Sequence, residues 1–195
     1  MKSTYPVYVS LVFIAFVSTG CGYNRMVALE EGVSSAWAQV GNVYQRRMDL
    51  IPNLVETVKG YAAHEQETLT ALTEARSRAG GVMSIDENLL NNPEAFARFQ
   101  QAQSGLGAAL QRLLVVTENY PDLKANQNFL ALQDQLEGTE NRIAVERMRF
   151  NEAVRAYNTL IRRFPQVLMA RMTGFEAKPY FEAAEGAETV PQVNF

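Results

Sequence analysis

The sequence predicts an all-α protein, an antiparallel bundle of three to four long helices with an irregular C-terminal tail packed on it. Apolar residues recur at steps of three and four through the long segments, and no segment shows the alternation of a β-strand. The clearest glycine and proline clusters fall between these segments. A hydrophobic fraction of 47% in 195 residues is enough for a folded core and argues against disorder.

The first long helix carries its apolar positions from Trp37 onward and is expected to end near Ala79, where two glycines follow. Pro52 lies inside it, but the apolar phase continues across the proline, so we predict one helix kinked near Pro52 rather than two helices. Because proline has no N–H, the carbonyl of Met48 loses its usual donor. The Asn53 side chain or a facing arginine is expected to replace that donor. The apolar positions are Trp37, Val40, Tyr44, Met48, Ile51, Val55, Val58 and Ala62, followed by Leu69 and Leu72.

The later helices have recognisable ends. Asn92 can cap a helix that has Pro93 at its first position. This helix is expected to stop before Pro121, since the residue preceding a proline disfavours helix. A third helix carries its apolar phase over residues 129–164 and ends at Pro165. The aromatic residues of the tail are expected to pack on the bundle; they are Phe175, Tyr180, Phe181 and Phe195.

The N-terminal segment is typical of a signal peptide that ends in a lipid-modified cysteine. Val7 to Val17 is an apolar run of 11 residues, interrupted by Ser10, which is short for a membrane span and suits a signal-peptide core. Small residues precede Cys21 and resemble a bacterial lipobox, although Ser18 stands where leucine is usual. We therefore expect residues 1–21 to be a signal peptide, with the lipid attached to Cys21. The helical domain, residues 22–195, then lies outside the cytoplasm on the cell membrane or the outer membrane, and an uncleaved N-terminal anchor is the alternative.

Composition gives little support for catalysis or for binding nucleic acid. The formal net charge of −3 and a pI near 5.3 provide no basic surface for nucleic acid. One cysteine and one histidine, His64, cannot build a cysteine metal cluster or the paired Glu-x-x-His motifs of a bundle metal site. No glycine-rich phosphate loop and no G-x-S-x-G motif occurs. We predict that the protein is not an enzyme and has no cofactor.

Polar residues close to the apolar positions form a candidate polar layer or docking site. Steps of four and three place Asp49, Asn53 and Glu56 on one face of the first helix. Glu140 and Arg147 lie beside the apolar positions of the last helix. Three interpretations stay open: a ligand pocket lined by charge, surface ion pairs, and a buried layer that sets helix register. The candidate residues are Arg47, Asp49, Asn53, Glu56, Asn119, Glu140 and Arg147.

Most of the chain resembles one family of bacterial envelope proteins. The segments that carry the resemblance are AWAQVGNVYQRRMDLIPNLVETVKGYAAHEQETLTALTEAR, ENYPDLKANQNFLALQDQLEGTENRIAVERMRFNEAVRAYN and FEAAEGAETVPQVNF, after an opening GYNRMVALEE. In order and spacing they resemble the LemA family. That resemblance implies an antiparallel helical bundle held outside the membrane by an N-terminal anchor, with scaffold or adaptor work and no established enzymatic activity. Many members keep the anchor as a transmembrane helix, so a lipid on Cys21 is a departure.

Two functions from different classes follow from these features. The first is an envelope-anchored lipoprotein that acts as an interaction or scaffold protein without catalysis. Its partners would be the membrane, through the N-terminal lipid, and an envelope or membrane protein of unknown identity. The alternative is a binding module for an apolar or lipid-like ligand held between the helices, since bundle cores can house ligands.

Overall fold

The computed structural model describes residues 5–82 and 87–182, and side chains over residues 22–82 and 89–182. Helices account for most of these described residues, and no strand occurs among them. The helices are α1 (Tyr5–Lys59), α2 (Gln66–Gly81), α3 (Pro93–Thr117), α4 (Pro121–Lys124), α5 (Gln127–Arg162) and α6 (Gln166–Thr173), with a 3₁₀ helix at Glu87–Asn91. The all-α prediction is confirmed.

Helix α1 runs through Pro52 without interruption, as the apolar phase predicts. The expected replacement donor is also present, and it is a facing arginine. Arg76 of α2 donates from its Nε to the carbonyl of Met48 at 3.0 Å. A carbonyl that Pro52 leaves without a helical donor is therefore satisfied from the neighbouring helix. The kink itself stays a prediction.

The predicted end of the first helix near Ala79 is wrong, because α1 ends at Lys59 and α2 begins only at Gln66. Gly60 follows Lys59 directly, and glycine is among the weakest helix formers. The connection closes through turn hydrogen bonds, with the amides of Tyr61 and Ala62 both donating to the carbonyl of Val58 at 3.0 and 2.8 Å. The apolar phase continues across the break because Ala62 and the first apolar residues of α2 enter the same core.

The caps and stops of the later helices are confirmed in part. The side chain of Asn92 accepts a hydrogen bond from the amide of Ala95 at 3.0 Å and caps α3. Helix α3 ends at Thr117, as the predicted stop before Pro121 requires, and α5 ends at Arg162, before Pro165. Two short helices were not expected, since α4 begins at Pro121 and α6 follows Pro165. In both cases proline at or before the first turn suits a helix start.

Contacts between α1 and α5 follow a regular order along the two helices. Glu30 in the middle of α1 meets Tyr157 near the end of α5, and Arg47, later in α1, meets Glu140, earlier in α5. At the other end, the turn after α1 meets the residue that caps α5, through a hydrogen bond of 2.8 Å from Asn126 to the hydroxyl of Tyr61. Helix α2 packs against α3. Among the described residues, no helix is both long enough and apolar enough to cross a membrane.

The buried apolar residues form two clusters along the bundle. One lies toward the C-terminal end of α1 and includes Ile51, Leu54 and residues of α2 and α3. The other surrounds Trp37 and is largely aromatic. Phe181 from the tail is only 5% exposed and joins it, with ring centroids 5.0 Å from Phe96 and 5.4 Å from Phe150. Of the other tail aromatics, Phe175 is half-buried, Tyr180 is exposed, and Phe195 lies outside the described residues.

Candidate functional site

The buried polar centre of the bundle is Arg47, which lies on the inner face of α1 and is 3% exposed. Its NH1 pairs with Glu140 Oε1 of α5 at 2.7 Å. Its NH2 donates to the side-chain oxygen of Gln103 on α3 and to the carbonyl of that residue at 3.2 Å. One guanidinium thus joins three helices, a geometry for which its fork of donors is well suited. We call Arg47, Gln103 and Glu140 the arginine layer.

The electrostatics of the arginine layer are asymmetric. The side chain of Arg47 is 4% exposed, whereas that of Glu140 is 47% exposed and in contact with solvent. The guanidinium carbon also lies 5.1 Å from the ring centroid of Tyr44. Burial raises the pKa of Tyr44, and the positive charges of Arg147 and Arg47 partly oppose that rise. The buried charge of Arg47 therefore depends on Glu140 for its compensation. The carboxylate of Glu140 is hydrated by solvent and does not need Arg47 to stabilise its charge.

Two asparagines of α5 hold the C-terminal tail against the bundle. Asn158 Nδ2 donates to the carbonyl of Lys178, and the amide of Lys178 donates back to Asn158 Oδ1, both at 2.9 Å. Asn151 forms the same reciprocal pair with Phe181, again at 2.9 Å for both bonds. A side-chain amide has the donor and acceptor of a peptide group, so each asparagine satisfies the backbone of a tail residue that belongs to no helix or strand.

Further contacts extend this tail clamp, which we define as Arg147, Asn151 and Asn158 together with the tail residues that they bind. Arg147 donates from NH2 to the carbonyl of Glu182 at 2.8 Å, and its guanidinium lies 4.7 Å from the Phe181 ring centroid. Steps of four and seven residues place the three clamp side chains on one face of α5. That arrangement follows the tail along the helix for almost three turns.

A second buried cation, Lys178, belongs to the tail itself and is 9% exposed. Its Nζ lies 2.7 Å from Asn91 Oδ1 and 3.0 Å from Glu30 Oε1. The hydroxyl of Tyr157 also faces Glu30, at 3.5 Å. Burial, followed by the charge of Glu30, raises the pKa of Tyr157 well above its ordinary value. Both buried cations of the described chain therefore bind partners within the protein.

The seven candidate residues separate into three groups in the structure. Arg47 and Glu140 meet in the arginine layer, and Arg147 belongs to the tail clamp. The remaining four are exposed: Asp49 accepts from Gln45 at 2.7 Å, Glu56 pairs with Lys59 at 3.1 Å, and Asn53 and Asn119 face solvent. The shared face of the first helix is thus a surface and not a buried layer.

Sequence reasoning missed the residues that complete these sites. They are Gln103, Asn151, Asn158 and Lys178. The one available signal was the spacing of seven residues between Asn151 and Asn158. This spacing places both asparagines on the same face of α5 as the buried Val154. The side chain of Cys21 lies outside the described side chains.

A shallow groove between α1 and α5 is the concave feature nearest the predicted residues. It has a volume of about 320 Å³ and is lined by Asn53, Thr57, Asn128, Ala131, Leu132 and Gln135. Amides and a hydroxyl dominate this lining, so the groove does not favour an apolar ligand. Over the part of the chain that the structure describes, no group of three or more His, Cys, Asp or Glu side chains is arranged to hold a metal ion.

These features define a class of all-helical protein whose buried polar groups join helices and tail to one another. The family model of the LemA family matches residues 36–195, and the chain belongs to that family. Magnetosome protein MamQ of Magnetospirillum gryphiswaldense is 28% identical, over 94% of this chain and 74% of that protein. MamQ 2 of Paramagnetospirillum magneticum is also 28% identical, over 92% and 72%. Protein LemA of Metamycoplasma hominis is 22% identical, over 83% and 69%.

Proposed function

We propose that this LemA-family protein is an envelope-anchored interaction protein that works without catalysis. In this proposal a lipid on Cys21 holds the protein at the cell membrane or outer membrane, and an antiparallel bundle faces the outside of the cytoplasm. The order of contacts between α1 and α5 supports the antiparallel arrangement, since early residues of one helix meet late residues of the other. An envelope or membrane protein is the expected partner.

The observation that carries the proposal is the use made of the buried charges. Arg47 and Lys178 are the buried cations of the described chain, and each binds carboxylate and amide partners inside the protein. Buried charges arranged in this way set helix register and tail position. Interaction work is also compatible with relatives that are named as magnetosome proteins, since that name associates them with an assembly and not with a reaction.

The outer face of α5 offers a place to look for the partner. Val145 and Met148 are 40% and 56% exposed and lie three residues apart, so they share one face of the helix. A photo-crosslinking amino acid at residue 148 in cells is expected to capture an envelope or membrane protein, identified by mass spectrometry. The matched control carries the same group at the exposed Arg142 on α5, six residues before Met148 and therefore on a different side of the helix. Recovery of no membrane or envelope protein above this control would contradict the proposal.

The anchor requires a separate experiment. Metabolic labelling with a radioactive fatty acid is expected to mark the wild-type protein and to leave Cys21→Ser unlabelled. Cell fractionation of the same two strains should place the wild-type protein with membranes. Equal absence of label from both proteins would contradict lipid modification while leaving an uncleaved N-terminal anchor as the explanation for membrane association.

A further inference from the structure

Helix α6 exposes an unusual amount of apolar surface at one end of the bundle. Phe164, Leu168 and Met172 are 80%, 56% and 86% exposed. Leu168 and Met172 are four residues apart and therefore share one face of α6, and Phe164 lies in the turn just before that helix; we call these three residues the α6 apolar row. Large apolar side chains clustered in this way mark interaction surfaces, whereas single ones do not.

The position of this row relative to the N-terminal segment suggests what covers it. Gly22, the residue after Cys21, lies beside α6: a Cβ at residue 22 would be 3.7 Å from the side chain of Gln166. The ring centroids of Tyr23 and Phe175, which follows α6, are 5.8 Å apart. Continuing the order of α1–α5 contacts places Phe164 level with Tyr23. The α6 apolar row thus lies where the chain leaves its apolar N-terminal run.

Charge at this end of the bundle is opposite to that of the whole protein. Segments 22–29 and 159–176 contain four arginines and one glutamate, although the full chain has a net charge of −3. Arg162, Arg163 and Arg171 are exposed, and none forms an ion pair within the described part of the chain. An apolar row bordered by arginines is the pattern of a helix that lies in the interface of an anionic bilayer.

We propose that α6 is a membrane-contact surface, with Phe164, Leu168 and Met172 entering the lipid interface and the three arginines binding anionic headgroups. This inference rests on the proposed N-terminal anchor, which brings α6 to the bilayer. It adds a protein contact to the lipid anchor, and burial of apolar side chains together with basic residues strengthens binding to an anionic membrane. The contact also fixes the orientation of the bundle relative to the membrane, because α6 is packed against α1 and α5.

The test places an environment-sensitive fluorophore on a cysteine introduced by Met172→Cys in the full chain. Val115→Cys is the matched control, because Val115 is an apolar residue that is 69% exposed on α3. Val115 lies near the C-terminal end of α3, which is close to the C-terminal end of α1. The hydroxyl of Tyr120, which follows α3, donates there to Glu65, which follows α1, at 2.8 Å. Labelling the wild-type chain shows whether the thiol of Cys21 is blocked. If that thiol takes up label, Cys21 carries no lipid, and the anchor on which this inference rests is refuted.

The labelled proteins are reconstituted into vesicles of phosphatidylcholine and phosphatidylglycerol. Protein that floats with the vesicles is collected, and its fluorescence spectrum and quenching are measured. The fluorophore at residue 172 is expected to shift to the blue and to be quenched by nitroxide lipids at least about threefold more than at residue 115, since interfacial helices sit ~5–10 Å into the headgroup region. Vesicles of phosphatidylcholine alone should weaken the quenching. Equal quenching in both vesicle types would show that the three arginines do not bind anionic headgroups.

Two other outcomes would overturn the proposal in different ways. Flotation of both variants with an aqueous spectrum at residue 172 would leave the anchor intact and refute the contact surface. Failure of both variants to float would refute the anchor on which the contact depends. A blue shift at residue 172 that is equally large without vesicles would assign the α6 apolar row to self-association.

Discussion

The hydrogen bond from Arg76 to the carbonyl of Met48 exists to compensate for Pro52, and this dependence can be measured. Arg76→Met keeps the long apolar part of the side chain and removes the donor. Pro52→Ala restores a backbone N–H at residue 52, four residues after Met48, in the position of the ordinary helical donor. Arg76 should therefore matter much less when residue 52 is alanine.

The expected magnitude follows from the chemistry and burial of the donor. A hydrogen bond from a charged donor contributes about 1.5–3 kcal/mol when it is buried. Because Arg76 is only partly buried, we expect Arg76→Met to lower the free energy of unfolding by about 1–2 kcal/mol in the presence of Pro52. With alanine at residue 52 the carbonyl keeps a donor, and the same change should cost about 0.5 kcal/mol or less.

The assay is a double-mutant cycle by urea denaturation of the full chain in mild detergent. We expect a coupling energy of about 1 kcal/mol, which exceeds the usual additivity error of about 0.3–0.5 kcal/mol. The control is Arg78→Met, on the same helix, whose exposed side chain makes a long ion pair of 3.8 Å with Glu74. Arg78→Met should show no coupling to residue 52. Equal costs for Arg76→Met in the two backgrounds would refute the explanation of how the helix tolerates its proline.

Three further predictions concern the tail and the buried charges. Asn158→Ala removes two buried hydrogen bonds and should lower the free energy of unfolding by about 2–4 kcal/mol. Replacing the exposed Asn141 by alanine should change that free energy by no more than about 0.5 kcal/mol. Equal effects of the two substitutions would contradict the tail clamp. Glu140→Ala leaves the buried charge of Arg47 uncompensated and should cost about 2–3 kcal/mol. Arg47→Met should cost less, because it leaves no buried charge: the carboxylate of Glu140 is solvated, and Gln103 loses hydrogen bonds but no charge compensation. Denaturation that ranks the two substitutions in the reverse order would contradict this asymmetry. The raised pKa of Tyr157 keeps its phenol protonated in the folded protein, whereas the same phenol ionises near about pH 10 in the unfolded chain. The free energy of unfolding should therefore fall as the pH rises above that value, and it should fall less in Tyr157→Phe. Identical pH profiles for the two proteins would show that Tyr157 does not cause this pH dependence.

Helical periodicity predicted the core well because it is a local property of the chain. Each of the eight apolar positions named from Trp37 to Ala62 is buried. The same signal failed at Lys59, because apolar residues on both sides of the turn enter one core and preserve the spacing across a break in the helix. Hydrogen bonds of the turn, which the apolar pattern does not encode, decide where α1 ends.

Arg47, Glu140 and Arg147 were harder to assign because each binds a partner that is distant in sequence. Arg47 and Glu140 are 93 residues apart, and nothing in the local pattern distinguishes Arg47 from its exposed neighbour Arg46 except its helical phase. Arg147 lies seven residues after Glu140 on α5, yet it binds the tail at Glu182. A tail without periodicity offers no signal of its own path, so the sequence did not show that Arg147 binds the tail.

The tail clamp explains why an irregular segment can complete the core of a helical protein. Extended backbone normally finds its hydrogen-bond partners in a sheet, but here Asn151 and Asn158 supply donor and acceptor from a helix surface. That pairing fixes the position of Phe181, which closes the aromatic cluster around Trp37. The tail begins just after α6, so the same contacts that complete the core also restrain the helix we assign to the membrane surface. Order in the tail and orientation at the membrane are therefore expected to change together when either asparagine is replaced.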